Sequence, residues 1–309
     1  MYDILGDIHG FADTLELLLQ KLGYKEIDGT YRHPSKQVIF TGDFIDRGPK
    51  IRKTLQIVKA MTEAGSAKAV AGNHEYNAIA YSTKDEKGNY LRPHNKKNQA
   101  QFHKTQAEFL DYPGEWQSYL EWFKSLPLYL DLPELRVVHA CWDFKLLELL
   151  KKKPNAKLMN PEFISESIKK DSQAYRIIDT LLKGKEVELP EGYSFRDKDN
   201  HLRNSIRFKW WEKLEGKTYK SAVVQGSHDV PDMRIPEQYY SLSTAYDADE
   251  KPVFFGHYWL TGNPQAQKHN VCCLDYSIGK CKKLTAYRFD GEKQIDNRKF
   301  VSVKCTDKI

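Results

Sequence analysis

The feature that most constrains the fold of this 309-residue chain is the alternation of strand-like runs with amphipathic stretches over its first 75 residues. Tyr2–Leu5, Val38–Phe40 and Lys68–Ala71 predict strands, and apolar residues at helical spacing predict helices over about Thr14–Leu22 and from Ile51 to Met61. Strands that alternate with helices form βαβ units, in which the strands pair in parallel. The chain is therefore expected to be an α/β protein.

Two stretches depart from this pattern. Residues from about 81 to 126 are rich in Lys, Asn, Gln, His and aromatic residues, and residues from about 144 to 219 contain a helical segment near Glu162–Leu182. Strand patterns occur between and after them, at Leu128–Leu132, Leu135–Ala140, Ala222–Gln225, Val253–Phe255, Val271–Leu274 and Leu284–Phe289. Since no repeat or low-complexity linker marks a boundary, we expect one domain over residues 1–309 with two mainly helical insertions. We call residues 81–126 the first insertion and residues 144–219 the second insertion.

The composition excludes several classes of protein. No run approaches the roughly 18 consecutive apolar residues of a membrane-spanning helix, so a membrane protein is not expected. Met1 is followed so closely by the polar block at Gly6–Gly10 that no signal peptide fits, which predicts a cytoplasmic location. The five cysteines are an odd number and Cys272 adjoins Cys273, so we expect reduced thiols rather than a disulfide framework.

Three glycine-punctuated polar blocks follow the first three predicted strands. They are Gly6–Gly10, Gly42–Gly48 and Gly72–Glu75, and His139 and His257 follow two later strands in the same manner. In open parallel sheets, ligands bind outside the carboxyl ends of the strands. These loops are therefore expected to converge on one site.

The side chains of these loops are suited to binding metal ions. The candidate ligands are Asp7, His9, Asp43, Asn73, His139 and His257. Oxygen and imidazole donors without cysteine favour Mn²⁺ or Fe, with Zn²⁺ as a further candidate. Six ligands exceed the three protein ligands of one catalytic zinc, so two ions are implied. If Asp43 bridges the two ions, Asp7 and His9 complete the ligand set of one ion. Asn73, His139 and His257 then complete the ligand set of the other.

Such a pair of ions would activate a bound hydroxide for attack on phosphorus. His74 adjoins a ligand, and its imidazole is suited to protonating the leaving oxygen while Asp46 orients it. Arg47 has a planar guanidinium suited to phosphate oxygens. The sequence thus predicts His74 and Asp46 as catalytic residues and Arg47 as a phosphate-binding residue.

Each block alone is also compatible with an ordinary turn. Asp and Gly are turn formers, and a Gly-Asp-x-His-Gly loop without a metal would be common. The joint pattern of three blocks and two histidines, all at predicted strand ends, favours the metal site. The remaining histidines are expected to have ordinary surface or core roles, with His228 the one of most interest.

These residues resemble the motifs of the calcineurin-like metallophosphoesterases. Gly6–Gly10, Gly42–Gly48 and Gly72–Glu75 match the three phosphoesterase motifs, and Val138–Ala140 and Gly256–His257 match the two histidine motifs. Within the family, the chain is most similar to the branch of phosphoprotein phosphatases and bacterial symmetrical diadenosine tetraphosphatases. The resemblance implies a β-sandwich of two mixed sheets flanked by helices, and the ligand and acid roles given above.

The end of the chain is similar to the tetraphosphatase-like bacterial members of this branch. Cys272–Ser277 and Lys283–Arg288 resemble their closing strands, whereas Glu75 stands where those enzymes usually have Asp. The branch also implies a second substrate-binding basic residue before the last histidine. Arg207 is our candidate, with Arg203 as the alternative.

Arg207 has an alternative structural interpretation. Ile206, Phe208 and Trp210 alternate with it, which is equally typical of a strand with one buried face and a solvated Arg207 and Lys209. An arginine among aromatic residues could also pair with phosphate and stack on a base.

The predicted function is a dinuclear-metal-dependent phosphohydrolase that cleaves a phosphoester or phosphoanhydride with metal-bound hydroxide. A phosphorylated protein, nucleotide or small metabolite would be its substrate. The alternatives are a nucleic-acid-processing phosphoesterase and a non-catalytic phosphate-binding module. The net charge of +6 is interpreted as a mild field that favours anionic substrates, and nucleic acid is not the favoured partner.

Overall fold

The structure is a computed structural model that describes residues 1–152, 159–197, 201–225 and 229–308. His228 lies outside the described residues. The helices are α1 (Ala12–Leu22), α2 (Ile51–Glu63), α3 (Asn73–Ser82), α4 (Lys96–Glu108), α5 (Pro113–Ser125), α6 (Phe144–Lys151), α7 (Pro161–Ser167), α8 (Gln173–Lys183) and α9 (Tyr219–Ala222). The strands are β1 (Tyr2–Leu5), β2 (Lys25–Ile27), β3 (Thr30–Arg32), β4 (Gln37–Phe40), β5 (Ala67–Ala69), β6 (Tyr129–Asp131), β7 (Arg136–Val138), β8 (Glu186–Glu188), β9 (Phe195–Arg196), β10 (Leu202–Arg203), β11 (Ser205–Arg207), β12 (Val253–Phe255), β13 (Val271–Cys273), β14 (Lys283–Phe289) and β15 (Phe300–Lys304).

Two mixed sheets form the centre of the molecule, as the sequence predicted. The first has the strand order β15-β14-β1-β4-β5, in which β1, β4 and β5 are parallel, β14 is antiparallel to β1, and β15 is antiparallel to β14. The second has the order β13-β12-β7-β6, in which β6 alone is antiparallel to its neighbour. In each sheet, the carboxyl ends of the parallel strands therefore lie at one edge, where the loops that follow them can meet.

The core has two layers because successive residues of a strand face opposite sides of its sheet. Ile4 and Ile39 of the first sheet pack with Val137 and Phe254 of the second in one buried cluster, which shows that the sheets pack face to face. On the other face of β1, Leu5 belongs to the cluster that contains the buried leucines of α1 and the apolar face of α2. The expected sandwich flanked by helices is confirmed.

The two insertions differ in their structure. The first contains α4 and α5, as expected, and is joined to the core by aromatic contacts such as the stacking of Trp122 on Phe44. The second begins with α6, α7 and α8, but its last part forms the short strands β8 to β11. In β11 and the residues after it, Ile206, Phe208 and Trp210 are fully buried while Arg207 and Lys209 are half-buried, so the alternation in the sequence does report a strand face.

One local prediction was wrong. Ala222–Gln225 is not a strand, because the side chains of Thr218 and Ser221 form a capping box that starts the short helix α9. The start of α1 is capped from a distant part of the chain. Asp307 accepts hydrogen bonds from the backbone N–H groups of Asp13 and Thr14, at 3.1 and 3.0 Å, and so satisfies the helix N-terminus from the far end of the chain.

The expectation that all five cysteines are reduced was also wrong. Cys281 and Cys305 form a disulfide, whereas Cys141, Cys272 and Cys273 are buried free thiols. The pairing follows from the antiparallel register of β14 and β15, which places Lys283 opposite Lys304 and brings the residues just outside that pair together. Since β15 was not predicted, the sequence could not indicate this contact.

None of the described helices is both long and apolar enough to cross a membrane.

Candidate metal centre

The predicted ligand loops converge at the carboxyl ends of the parallel strands. Asp7 and Asp43 follow β1 and β4 of the first sheet, and His139 and His257 follow β7 and β12 of the second. All four side chains are at least nine-tenths buried. Face-to-face packing of the sheets therefore brings ligands from both of them into one buried site.

Asp43 lies at the centre of this site. Its Oδ2 atom is 3.7 Å from Nε2 of His9, 3.8 Å from Nε2 of His74 and 3.4 Å from Nε2 of His139. Two groups of potential metal ligands share this carboxylate, one with His9 and His74 and the other with His139 and His257. A carboxylate between two such groups has the position that a bridging ligand requires.

The tautomers of two histidines favour metal binding. Nδ1 of His9 donates to the carbonyl oxygen of Ile45 at 3.0 Å, and Nδ1 of His139 donates to that of Thr41 at 2.8 Å. A proton on Nδ1 leaves the lone pair of Nε2 available for a cation. In the described part of the chain, Nε2 of His9 and Nε2 of His257 are buried without a hydrogen-bond partner. Orphaned imidazole nitrogens beside carboxylates fit a metal centre, because an unpartnered buried polar atom is otherwise costly.

Asp7 and Asn73 complete the predicted set. Oδ2 of Asp7 accepts a hydrogen bond from the backbone N–H of His257 at 3.0 Å, and Oδ1 of Asn73 lies 3.0 Å from Nε2 of His139. A Cβ atom at Gly256 would lie 1.8 Å from Oδ1 of Asp7, so only glycine allows this carboxylate to reach the second sheet. The structure thus brings together all six predicted ligands.

The charges in this site favour a cation. Burial alone would lower the pKa of His139, but the carboxylates of Asp43 and Asp7 raise it by more. The pKa of His139 is therefore about 10. Burial and the neighbouring Asp275 raise the pKa of Asp7 well above its ordinary value. The carboxylates therefore favour a positive charge in the site. Either a proton or a bound metal ion would supply that charge.

Glu75 has a role that the sequence did not reveal. Its carboxylate accepts hydrogen bonds from the backbone N–H groups of Asp43, Phe44 and Gly72, at 2.8, 2.8 and 2.9 Å. Burial and Asp43 raise its pKa to about 7. Glu75 thus joins two of the ligand loops. Its place three residues after Gly72, at the start of α3, is the spacing of a capping box and was the available signal.

His74 and Asp46 form the predicted pair. Nδ1 of His74 lies 2.6 Å from Oδ2 of Asp46, and Nε2 faces Asp43. Burial lowers the pKa of His74, but the carboxylates of Asp43 and Asp46 raise it more, so the net shift is upward. The imidazole is thus oriented by Asp46 and directed at the centre of the site.

Arg47 lies at the rim, with its guanidinium 4.2 Å above the ring of Trp259. The backbone N–H of Trp259 donates to Asp275 at 2.6 Å, which holds the ring beside His9. A cation above a tryptophan face is attracted by the ring quadrupole. Trp259 and Asp275 were not predicted, because Trp259 meets Arg47, more than 200 positions before it in the chain, only in the folded protein.

Arg207 is the last residue of β11. After burial, the charge of Arg207 is the strongest influence that lowers the pKa of His257. Its Nε atom is 3.4 Å from Oε1 of Glu186. Arg203, the alternative candidate, instead forms an ion pair with Asp197 at 2.7 Å. Of the two arginines, Arg207 is the one whose charge influences a candidate ligand.

Backbone strain is concentrated in these loops. Non-glycine residues with φ in the left-handed region include His9 (52°), Asp43 (56°), Asp46 (67°), Arg47 (64°) and His257 (71°). Each such conformation costs about 1 kcal/mol for a residue with a Cβ atom. Strain of this kind persists where the surrounding structure imposes it, and it is typical of functional sites.

The sequence of this chain matches the family model described as calcineurin-like phosphoesterase over residues 2–258. The chain belongs to this family. The matched range includes every ligand described above, from Asp7 to His257. The resemblance inferred from the motifs is thereby confirmed.

Within the calcineurin-like phosphoesterases, the chain is 30% identical over 305 residues to a bis(5'-nucleosyl)-tetraphosphatase, symmetrical, of Shewanella frigidimarina, covering 96% of this chain and 98% of that protein. It is 33% identical over 145 residues to bis(5'-nucleosyl)-tetraphosphatase PrpE [asymmetrical] of Oceanobacillus iheyensis, which covers 45% of this chain. In that comparison the chain spans 54% of the length of the relative. Among solved structures, a cold-active protein-tyrosine phosphatase of a psychrophilic Shewanella species has a similar fold, with a TM-score of 0.50, 14% identity, and coverage of 95% of this chain and 79% of that one.

Proposed function

We propose that this protein is a metal-dependent phosphohydrolase that cleaves a phosphoester or phosphoanhydride bond. The observation that carries the proposal is the carboxylate of Asp43, which lies between two groups of buried imidazoles. One cation would be held by Asp7, His9 and Asp43. The second would be held by Asp43 and by three further residues, namely Asn73, His139 and His257.

The donor set suits Mn²⁺ or Fe, and Zn²⁺ is a further candidate. When bound, the cations supply Lewis acidity, an activated water and the charge that an in-line phosphoryl displacement requires. The side chains of the protein do the remaining work, which is to bind the phosphate, orient it and deliver a proton.

His74 is proposed as the general acid. Asp46 holds Nδ1 of His74 at 2.6 Å, so the imidazolium form is stabilised and Nε2 can carry a proton toward the leaving oxygen. Arg47 and Arg207 would bind phosphate oxygens through their guanidinium groups. The proposal therefore assigns His74 and Asp46 to proton transfer and the two arginines to substrate binding.

We further propose a dinucleoside polyphosphate as the substrate. The support is the similarity to the symmetrical tetraphosphatase, which extends over 96% of this chain. The net charge of +6 is compatible with such an anion. The proposal retains the cytoplasmic location expected from the sequence, which cell fractionation would test.

The test is a substrate panel with the full chain. The protein is stripped with a chelator and reloaded with Mn²⁺, then offered diadenosine tetraphosphate, a phosphoserine peptide, an aryl phosphate and a short oligonucleotide. We expect Mn²⁺-dependent turnover that is highest on the dinucleotide and absent in Asp43→Asn. A fully metallated protein that hydrolyses none of them would instead be a phosphate-binding module. Preference for the oligonucleotide, with binding that falls steeply with salt, would indicate a nucleic-acid-processing enzyme.

A further inference from the structure

The loop that follows β4 carries two functional residues in a conformation that needs external support. Asp46 and Arg47 are consecutive, and both have φ in the left-handed region, at 67° and 64°. Side chains with a Cβ atom rarely adopt this region. Something outside the loop must therefore hold it in place.

The support comes from one helix of the first insertion. On α4, Nζ of Lys104 donates to the carbonyl oxygen of Arg47 at 2.6 Å. Glu108 accepts hydrogen bonds from the backbone N–H groups of Ile51 and Arg52, at 2.7 and 2.9 Å, where α2 begins. Helix α4 is thus attached to the loop and to the helix that follows it.

Thr105 lies between these two attachments and contacts Asp46 twice. Its Oγ1 atom accepts a hydrogen bond from the backbone N–H of Asp46 at 3.2 Å and donates one to Oδ1 of Asp46 at 2.5 Å. Thr105 is fully buried. A hydroxyl has one proton to donate and lone pairs to accept, so a single threonine can make both contacts.

This arrangement divides the carboxylate of Asp46 between two partners. Oδ1 faces Thr105, and Oδ2 faces Nδ1 of His74 at 2.6 Å. With one oxygen held by a buried helix residue, the carboxylate plane cannot rotate away from the imidazole. The chain of contacts therefore runs from α4 through Asp46 to the ring of His74.

We propose that Thr105 is a positioning residue, which acts through Asp46 to fix the imidazole of His74. The inference rests on the proposed function for the role of His74, and it assigns to the first insertion a part in catalysis. Thr105 itself does not touch the reacting atoms. Its loss should reduce the rate of proton delivery and leave substrate binding unchanged.

The kinetic test compares two substitutions of similar size. Thr105→Val removes the hydroxyl and keeps the shape, whereas Thr105→Ser keeps the hydroxyl. We expect Thr105→Val to lower kcat about 10- to 100-fold at an unchanged KM, because small displacements of a catalytic group cost rate at this scale. The loss should be greatest for a substrate with a poor leaving group. Thr105→Ser and Gln106→Ala, at the exposed neighbouring position, should retain turnover.

A double-mutant cycle separates this role from a general structural one. In an Asp46→Asn background, Thr105→Val should have little further effect on kcat, since the group through which it acts is already altered. An equal loss in both backgrounds, or an equal loss for all leaving groups, would overturn the inference. Thermal unfolding and bound Mn²⁺ are measured for each variant to exclude loss of the fold or of the metal.

A spectroscopic measurement does not depend on turnover. In the diamagnetic Zn²⁺-loaded protein, the Nδ1–H proton of His74, assigned by its disappearance in His74→Asn, should resonate at low field because of its short hydrogen bond to Asp46. Thr105→Val should shift or broaden this signal, and Thr105→Ser should preserve it. An unchanged signal in Thr105→Val would refute the positioning role whether or not the enzyme is active. A shifted signal in a protein without hydrolytic activity would retain the positioning role and reject only the proposed function.

Discussion

The first and second insertions relate to the candidate metal centre in different ways. The first contributes buried hydrogen bonds, such as those of Thr105 to Asp46, and an aromatic contact of Trp122 with Phe44. The second contributes a cation, Arg207, whose side chain is 38% exposed and whose charge acts on His257. One insertion thus holds the loops of the site, and the other presents a charge to whatever enters it.

The two insertions can therefore serve the same site in different ways. A buried side chain whose hydrogen bonds are all formed is held in one conformation. This rigidity is suited to aligning reacting groups. A half-exposed arginine retains freedom to follow a ligand and is suited to binding it. We therefore expect changes in the first insertion to alter kcat, and changes in the second to alter KM.

The largest effect is expected at Asp43, the carboxylate shared by the two groups of potential metal ligands. Asp43→Asn keeps the size of the side chain, and Asn tolerates the φ of 56° at this position. Loss of the shared charge should lower Mn²⁺-dependent turnover by about 1,000-fold or more, since a bound metal contributes several kcal/mol to such a reaction. Steady-state kinetics and the bound Mn²⁺ content would be measured together. Wild-type turnover in a folded Asp43→Asn protein would show that Asp43 is not an essential metal ligand. The two insertions could then not be compared by their effects on a shared metal centre.

The second largest effect is expected at His74, the residue at which the contacts of the first insertion end. His74→Asn should lower kcat by about 100-fold or more for a poor leaving group, because it removes the general acid. Bound Mn²⁺ should be unchanged. An aryl phosphate, whose leaving group needs less protonation, serves as the internal control. If both substrates lost rate equally, His74 would have another role.

A smaller effect is expected in the second insertion. Arg207→Ala should raise KM about 10-fold and change kcat little, since a charge-assisted hydrogen bond contributes roughly 1.5–3 kcal/mol. Arg203→Ala is the matched control, because Arg203 is paired with Asp197 and should leave KM within about twofold. A larger change in KM for Arg203→Ala than for Arg207→Ala would reverse the assignment of the substrate-binding arginine.

The smallest effect is expected at Glu108, which connects the first insertion to the start of α2. Glu108→Gln should weaken two backbone hydrogen bonds and reduce the free energy of unfolding by about 1 kcal/mol. For a chain of 309 residues, that corresponds to a fall in Tm of about 1–2 °C. Kinetic constants should stay within about twofold. Glu86→Gln, at an exposed position of the same insertion, should leave Tm unchanged.

The convergence of the candidate ligands could be anticipated from sequence because each one lies in a loop that follows a predicted strand. The only further assumption was that parallel strands end at one edge of their sheet. It applies to Asp7, Asp43, Asn73, His139 and His257. The supporting residues could not be found in this way. Thr105 offered at most a weak signal, as a hydroxyl on the helix face of Phe102 and Phe109, since its partner lies 59 positions away in the chain.

Local periodicity and residue type were enough to predict the α/β pattern, the loops that carry the candidate ligands and, as a hypothesis, the pairing of His74 with Asp46. Three features became visible only in the folded protein. The charge of Arg207 rather than that of Arg203 acts on His257, Cys281 meets Cys305, and Thr105 holds Asp46. The physical reason is that hydrogen bonds, ion pairs and disulfides act over a few ångströms, so distant residues interact only after the sheets and helices have packed.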